Sequence, residues 1–163
     1  MIRPLHQATD TAFVTDLFAR AADHVLLESG TIPNASQADD FFNQSPPGID
    51  PATALRLGHF LQGGVLVTIT EVAFGFPDPQ DAYIGLLLID PAHRGKRLGQ
   101  QMLDHIFVAA KAKEATRILI AVLEENAKGH RFWSKMGFEE ETRGPPVQIG
   151  LKTHVKIRMT RPL

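Results

Sequence analysis

Between Asp90 and Leu103 the chain reads DPAHRGKRLGQQML. His93, Arg94, Lys96 and Arg97 surround Gly95, and Gly99 follows as apolar periodicity sets in at Leu98, Met102 and Leu103. A turn that passes straight into a helix leaves the first backbone N–H groups unpaired, and the helix dipole favours negative charge there. Gly95 and Gly99 open the backbone to close approach, while Arg94, Lys96 and Arg97 can add charge-assisted hydrogen bonds. Holding a phosphate is the chemistry that this spacing suits. Neither the Walker pattern nor the dinucleotide-binding glycine pattern is present. A solvated basic helix start, or a contact with nucleic acid, would use the same residues. No second basic patch or aromatic platform accompanies them, however.

The elements that must position this stretch follow from periodicity. A short strand at Ile2–Leu5 precedes a helical face at Phe13, Val14, Leu17, Phe18, Ala21, Val25 and Leu26, with Thr9 or Thr11 as its N-cap and Gly30 at its stop. Asn34 is the cap expected for a second short helix, which "SPPG" ends. Two β-rich runs joined by "QGG" read as a hairpin from Leu55 to Phe74. "AYIGLLLID" and "RILIAVL" are apolar enough to be buried on both faces, and the helix between them makes the pair parallel. A further helix is expected over Ala127–Met136. Strands near Phe138–Thr142 and Val155–Met159 follow, separated by a "GPP" loop.

With 163 residues and no linker or repeat, the chain predicts one domain over 1–163, an α/β (α+β) mixed sheet. A charged fraction of 21% beside 44% hydrophobic residues excludes a disordered chain. A net charge of -1 gives no global field to recruit nucleic acid or an anionic membrane, so any anion site is local. The absence of cysteine excludes disulfides, thiolate metal sites and a cysteine acyl-enzyme. "MIRPLHQATD" does not read as a signal peptide, and the longest apolar run, Tyr83–Ile89, falls far short of the roughly 20 residues of a membrane span. The expectation is a cytoplasmic domain with no metal.

Joined to its strand, "LLLIDPAHRGKRLG" resembles the GNAT superfamily of acyl-CoA-dependent N-acetyltransferases, whose motif Arg/Gln-x-x-Gly-x-Gly/Ala follows a buried strand ending Val-x-Pro. Ile89, Asp90 and Pro91 match the strand end, Arg94 leads the motif and Gly99 closes it, while Arg97 replaces the middle glycine. "ENAKGHRFWSKMGF" is similar to the family's Asn-x-x-Ala-x-x-Phe-Tyr-x-x-x-Gly-Phe signature. Asn126, Phe132, Gly137 and Phe138 align, Gly129 takes the alanine place and Trp133 the tyrosine place. The element order agrees over nearly the whole chain.

The resemblance implies antiparallel N-terminal strands and a central parallel pair splayed around acetyl-CoA, the cosubstrate. The pyrophosphate would rest on Arg94, Gly95, Lys96, Arg97, Leu98, Gly99 and Gln100. The pantetheine arm would pair with the strand edge at Leu87, Leu88 and Ile89, where an N–H near Leu87 or Leu88 could stabilise an oxyanion. Asn126 and Trp133 would line the other side. Arg97 is compatible with this if it lies in helical φ/ψ, with its side chain swung outward.

The implied reaction is direct attack of a neutral primary amine on the thioester in a ternary complex, with a base to take the proton. Glu71, in "VTITEVAF", is the first candidate base. Asp78, Asp81, His59 and His93 follow, each with a structural role as its alternative. Where the family's general acid is a tyrosine, Trp133 offers only an indole N–H, either lining the site or packed in the core. Tyr83 is expected to lie too far from the sulfur. The acceptor, a small-molecule or peptide amine, would be chosen by the N-terminal helices, "GFPDPQD" and "TRGPPVQIGLKTH". The family also admits a homodimer. The alternative function is a non-catalytic acyl-CoA-binding sensor or partner module of the same fold.

Overall fold

A computed structural model describes residues 1–163. In chain order the elements are β1 (Ile2–Pro4), α1 (Gln7–Arg20), α2 (Ala22–Ser29), α3 (Ala35–Asn43), β2 (Leu55–Phe60), β3 (Leu66–Phe74) and β4 (Asp81–Ile89). Then come α4 (Leu98–Ala112), β5 (Arg117–Leu123), α5 (Ala127–Lys135), β6 (Glu139–Arg143), β7 (Val147–Ile149), β8 (Lys152–His154) and β9 (Lys156–Pro162). Seven strands form one sheet in the order β1-β2-β3-β4-β5-β9-β6. Only β4 and β5 run parallel, as the crossover through α4 requires.

Strand alternation sends side chains to two cores. One face packs Leu57, Val72, Ile84, Ile118, Ile120 and Met159 against Met102, Leu103 and Ile106 of α4 and Trp133 of α5. The other packs Phe60, Leu66, Ile69 and Leu88 against Val14, Leu17, Phe18, Val25 and Phe41 of α1–α3.

The feature that matters most for function is where β4 and β5 part. They pair from Asp81↔Arg117 to Ile84↔Ile120 and no further. Against β3, Glu71 lies opposite Leu86 and Val72 opposite Ile84, so Gly85 is an extra residue in β4. Such a bulge bends its strand and raises the local twist, and beyond it β4 swings away from β5. The closed end is pinned by Arg117, whose guanidinium donates to both carboxylate oxygens of buried Asp81 at 2.8 and 3.0 Å.

Asn34 caps α3 as expected: its Oδ1 accepts the Ser36 N–H at 2.8 Å, and its own N–H donates to Gln37 Oε1 at 2.6 Å. Gly30 closes α2 in the left-handed region at φ 71°. Three expectations need correction. The helix read as one is broken at Ala21, whose φ -97° and ψ 37° are not helical. Its periodicity runs through the break because both halves press the same core. Neither Thr9 nor Thr11 is its cap, since α1 starts after His6 and Asp10 accepts the His6 N–H at 2.8 Å while gripping Arg3 of β1. Finally, the segment after "GPP" is not a plain loop. It forms the β7–β8 hairpin, docked on the end of α2 through Leu151 N–H to Ser29 O at 2.9 Å and the His154 ring against Glu28 O at 2.7 Å.

Candidate active site

The splay leaves one edge of β4 without a strand partner. Asp90 N–H donates to Val67 O, which makes Thr68↔Ile89 a non-hydrogen-bonded pair. By alternation, Leu88 exchanges its backbone bonds with Ile69, and the N–H and C=O of Leu87 face the gap toward β5. Leu88, 3% exposed, belongs to the α1–α3 core. Of the two N–H groups expected there, the Leu87 group is therefore the one aimed into the opening.

At the mouth of the splay the chain turns through Pro91–His93 and enters α4. Asp90 organises the turn by accepting the Ala92 N–H at 2.9 Å and by pairing with Arg20 of α1. The backbone N–H groups from Gly95 to Gln100 donate to no acceptor in the protein, and Gln101 makes the first helical bond, to Arg97 O. Gly95 at φ 78° and Arg97 at φ 61°, ψ 14° alternate with other conformations, which cups these donors. Arg97 thus departs from the right-handed helical geometry expected of it. It stands in the left-handed region that glycine prefers, and its backbone keeps the shape a glycine would give. Gly99 is required for packing, because a Cβ there would come within 2.8 Å of Phe132 on α5. Arg94 is folded back onto α2, bonded to Asp23 Oδ1 at 3.0 Å and to Ile89 O at 3.2 Å. Asn126 accepts the Gly129 N–H at 2.9 Å through Oδ1, capping α5 and leaving Nδ2 free to donate. Six clustered donors between two cationic side chains fit a diphosphate; the acids beside the turn, Asp90 and Asp23, are held by Ala92 N–H and Arg20 and by Arg94, and neither pairs with Lys96 or Arg97.

On the α1–α3 face, the other side of the gap opens into a cleft of about 880 Å³. Its floor is a row across the sheet: Glu71 on β3, Gly85 and Leu86 on β4, Ala121 on β5, Arg158 on β9 and Thr142 on β6. Its walls come from α2, α3, Pro46–Pro47 and the β7–β8 hairpin. Glu71 is 7% exposed, its Oε1 has no hydrogen-bond partner, and a Cβ on Gly85 would overlap its Oε2. Burial pushes its carboxyl up to about 7, opposed by the positive charge of Arg56. Arg56 faces Glu71 across β2–β3 but donates to Phe41 O, Pro51 O and Gln44 O instead, tying α3 to the sheet.

Tyr83 lines this cleft and stacks edge-on against Phe76 at 5.3 Å. Burial raises its phenol, so it remains a donor and not a base. Tyr83 and Arg158 were not legible as site residues because each reaches the cleft through a long-range strand pairing. The other candidates lie elsewhere. Asp81 and Asp78 bind Arg117, His93 Nδ1 is 3.5 Å from Asp90, and His59 sits on β2 away from the cleft. Trp133 is 9% exposed and packed edge-on between Phe132 and Phe138, which is a core position.

A model of the acetyltransferase (GNAT) family matches residues 27–138, well over half of the sequence. The chain belongs to the GNAT family. It is an acetyl-CoA-dependent N-acetyltransferase, and family members acetylate amine acceptors. No helix of this GNAT protein is long and apolar enough to cross a membrane. Its fold is similar throughout to solved acetyltransferases. An acetyltransferase from Thermus thermophilus superposes with a TM-score of 0.75 at 23% identity, covering 100% of this chain and 96% of that one. The ribosomal-protein-alanine N-acetyltransferase from Brucella melitensis gives 0.76 at 14% identity, with 100% and 99% covered. An N-acetyltransferase from Staphylococcus aureus gives 0.75 at 14% identity, with 99% and 97% covered. Comparison with curated proteins finds no match.

Proposed function

We propose that this GNAT protein transfers an acetyl group to a primary amine by direct attack in a ternary complex, with Glu71 as the base. One observation carries the reading: a buried, unpartnered carboxyl held at about 7 stands over the Gly85 bulge, where the cleft meets the splay. An alkylamine arrives protonated and is nucleophilic only after losing a proton. A carboxylate of ordinary acidity is too weak a base near neutral pH; at about 7 Glu71 is matched to the task.

Acetyl-CoA supplies the activated thioester, with its diphosphate on the N–H groups of residues 95–100 and on Lys96 and Arg97. The Leu87 N–H donates to the carbonyl oxygen as charge grows on it. The amine nitrogen forms the new C–N bond, the C–S bond breaks, Glu71 receives the amine proton and the thiol leaves. Trp133 has no part in these steps, and the departing thiolate takes its proton from water or from Glu71.

The test is thiol release from acetyl-CoA across a panel of primary amines, with the product identified by mass spectrometry. Glu71→Gln should lower kcat by about a hundred-fold or more while leaving the CoA Kd unchanged. Undiminished turnover in that variant removes Glu71 as the base. A protein that binds CoA but releases no thiol with any amine would favour the binding-module reading.

A further inference from the structure

We infer that the acceptor amine carries a carboxylate several bonds away and that Arg158 is the residue that binds it. The inference rests on the cleft being the acceptor site. Arg158 is half-buried on the cleft floor, yet its guanidinium has neither a carboxylate nor a hydrogen-bond acceptor within the protein. Every other arginine lining a buried element is engaged: Arg56 by three carbonyls and Arg117 by Asp81. The acids on the opposite wall are also engaged, Glu28 with His24 at 3.3 Å and Asp40 with the Gln44 amide at 2.7 Å. Lys156, two residues earlier on the same strand face, lies near the Glu28 carboxylate of the wall, which leaves Arg158 as the cation without an acidic partner.

The arrangement has a polarity. Glu71 and Arg158 stand on β3 and β9 in one row, and between them lie Gly85, Leu86 and Ala121, two of which add little or no side chain to the floor. The Glu71 and Arg158 backbones are three strands apart, at least roughly 14 Å at ~4.8 Å per spacing, because β4 and β5 part just beyond Ile84 and Ile120. The gap between the two side chains therefore suits a molecule with an amine at one end and an anion at the other. An amine with the carboxylate on the adjacent carbon cannot reach both. A planar, forked guanidinium with free donors selects a carboxylate by two parallel hydrogen bonds.

Calorimetry on the CoA-loaded protein tests this with matched pairs: aminohexanoate against hexylamine, and lysine against cadaverine. The carboxylated member of a pair should bind at least about ten-fold more tightly. Arg158→Ala and Arg158→Gln, the second keeping most of the side-chain bulk, should erase the difference while leaving the CoA Kd unchanged. Equal affinities within both pairs, no binding of either, or discrimination that survives in the two variants would overturn the inference. Thiol release is read separately: if Glu71→Gln turns over normally but the pairs are still discriminated, the base assignment falls and the Arg158 assignment stands.

Discussion

In the proposed role of base, Glu71 couples activity to a cost in stability. Its carboxyl rises from 4.5 to about 7 on folding because burial disfavours the charged form. A folded value above the unfolded one means the native state holds the proton more tightly. Stability from this group is therefore full below pH 4.5 and declines as pH rises through about 7, by a total on the order of 3 kcal/mol. The same titration should appear in kcat/KM as a limb rising through about pH 7. Glu71→Gln should abolish that limb and raise the Tm at pH 8, where the charged form is most penalised. A variant less stable than the parent at pH 8 would contradict this account. Arg97 carries backbone strain. Left-handed backbone costs a residue with a Cβ roughly 1–2 kcal/mol. Comparing Arg97→Gly with Arg97→Ala removes the guanidinium from both and the strain from one. The glycine variant should be more stable by about 1 kcal/mol in chemical denaturation. CoA should bind the two with similar affinity.

Among the elements, α4 and α5 meet at Gly99 and Phe132, with Ile89 beneath at 3.2 Å from where a Cβ would stand. Gly99→Ala should cost about 1–2 kcal/mol by overpacking, seen as a lowered Tm, and should weaken CoA binding by tilting the cupped donors. At α2, Asp23 holds Arg94 away from the 95–100 loop, with side-chain exposures of 55% and 40%. A pair so open to water contributes under about 1 kcal/mol. Asp23→Ala should leave the Tm nearly unchanged and tighten CoA several-fold by freeing Arg94, an effect that added salt diminishes; weaker CoA binding would refute it. Local signals made some elements readable. Asn34 announces the start of α3, Gly30 the end of α2, and two apolar runs around one amphipathic helix the parallel pair. The break at Ala21 left no mark because the apolar period continues across it. The β7–β8 hairpin went unseen because its strands have three residues each, and its hold on Ser29 and Glu28 is made far away in sequence. The backbone of Arg97 was left conditional because a motif gives residue types, whereas φ is set by the turn and helix on either side.

At the scale of the whole molecule, the two halves of the sheet are joined over four residue pairs, Asp81–Ile84 with Arg117–Ile120, and clamped at one end by Asp81 and Arg117. The 95–100 loop, the free edge of β4 and the cleft all lie toward the end where that seam has opened. The candidate site was legible in part for this reason. Residues adjacent in sequence, such as Arg94–Gly99, announce themselves, whereas Glu71, Gly85, Ala121 and Arg158 become neighbours only through strand pairing. The seam also sets how the protein should behave as a material. With only a short zipper between them, the β1–β4 half and the half made of β5, β9 and β6 should breathe as separate cooperative units when the wedge is empty. A ligand whose arm lies against the Leu87 backbone acts as a stitch across that opening. Deuterium uptake should therefore slow on CoA binding at the amides of β4 beyond Gly85 and in α4. The Asp81–Ile84 amides should already be slow. Uptake that falls evenly over the whole sheet would mean that the halves move as one, with the wedge a rigid notch and not a hinge.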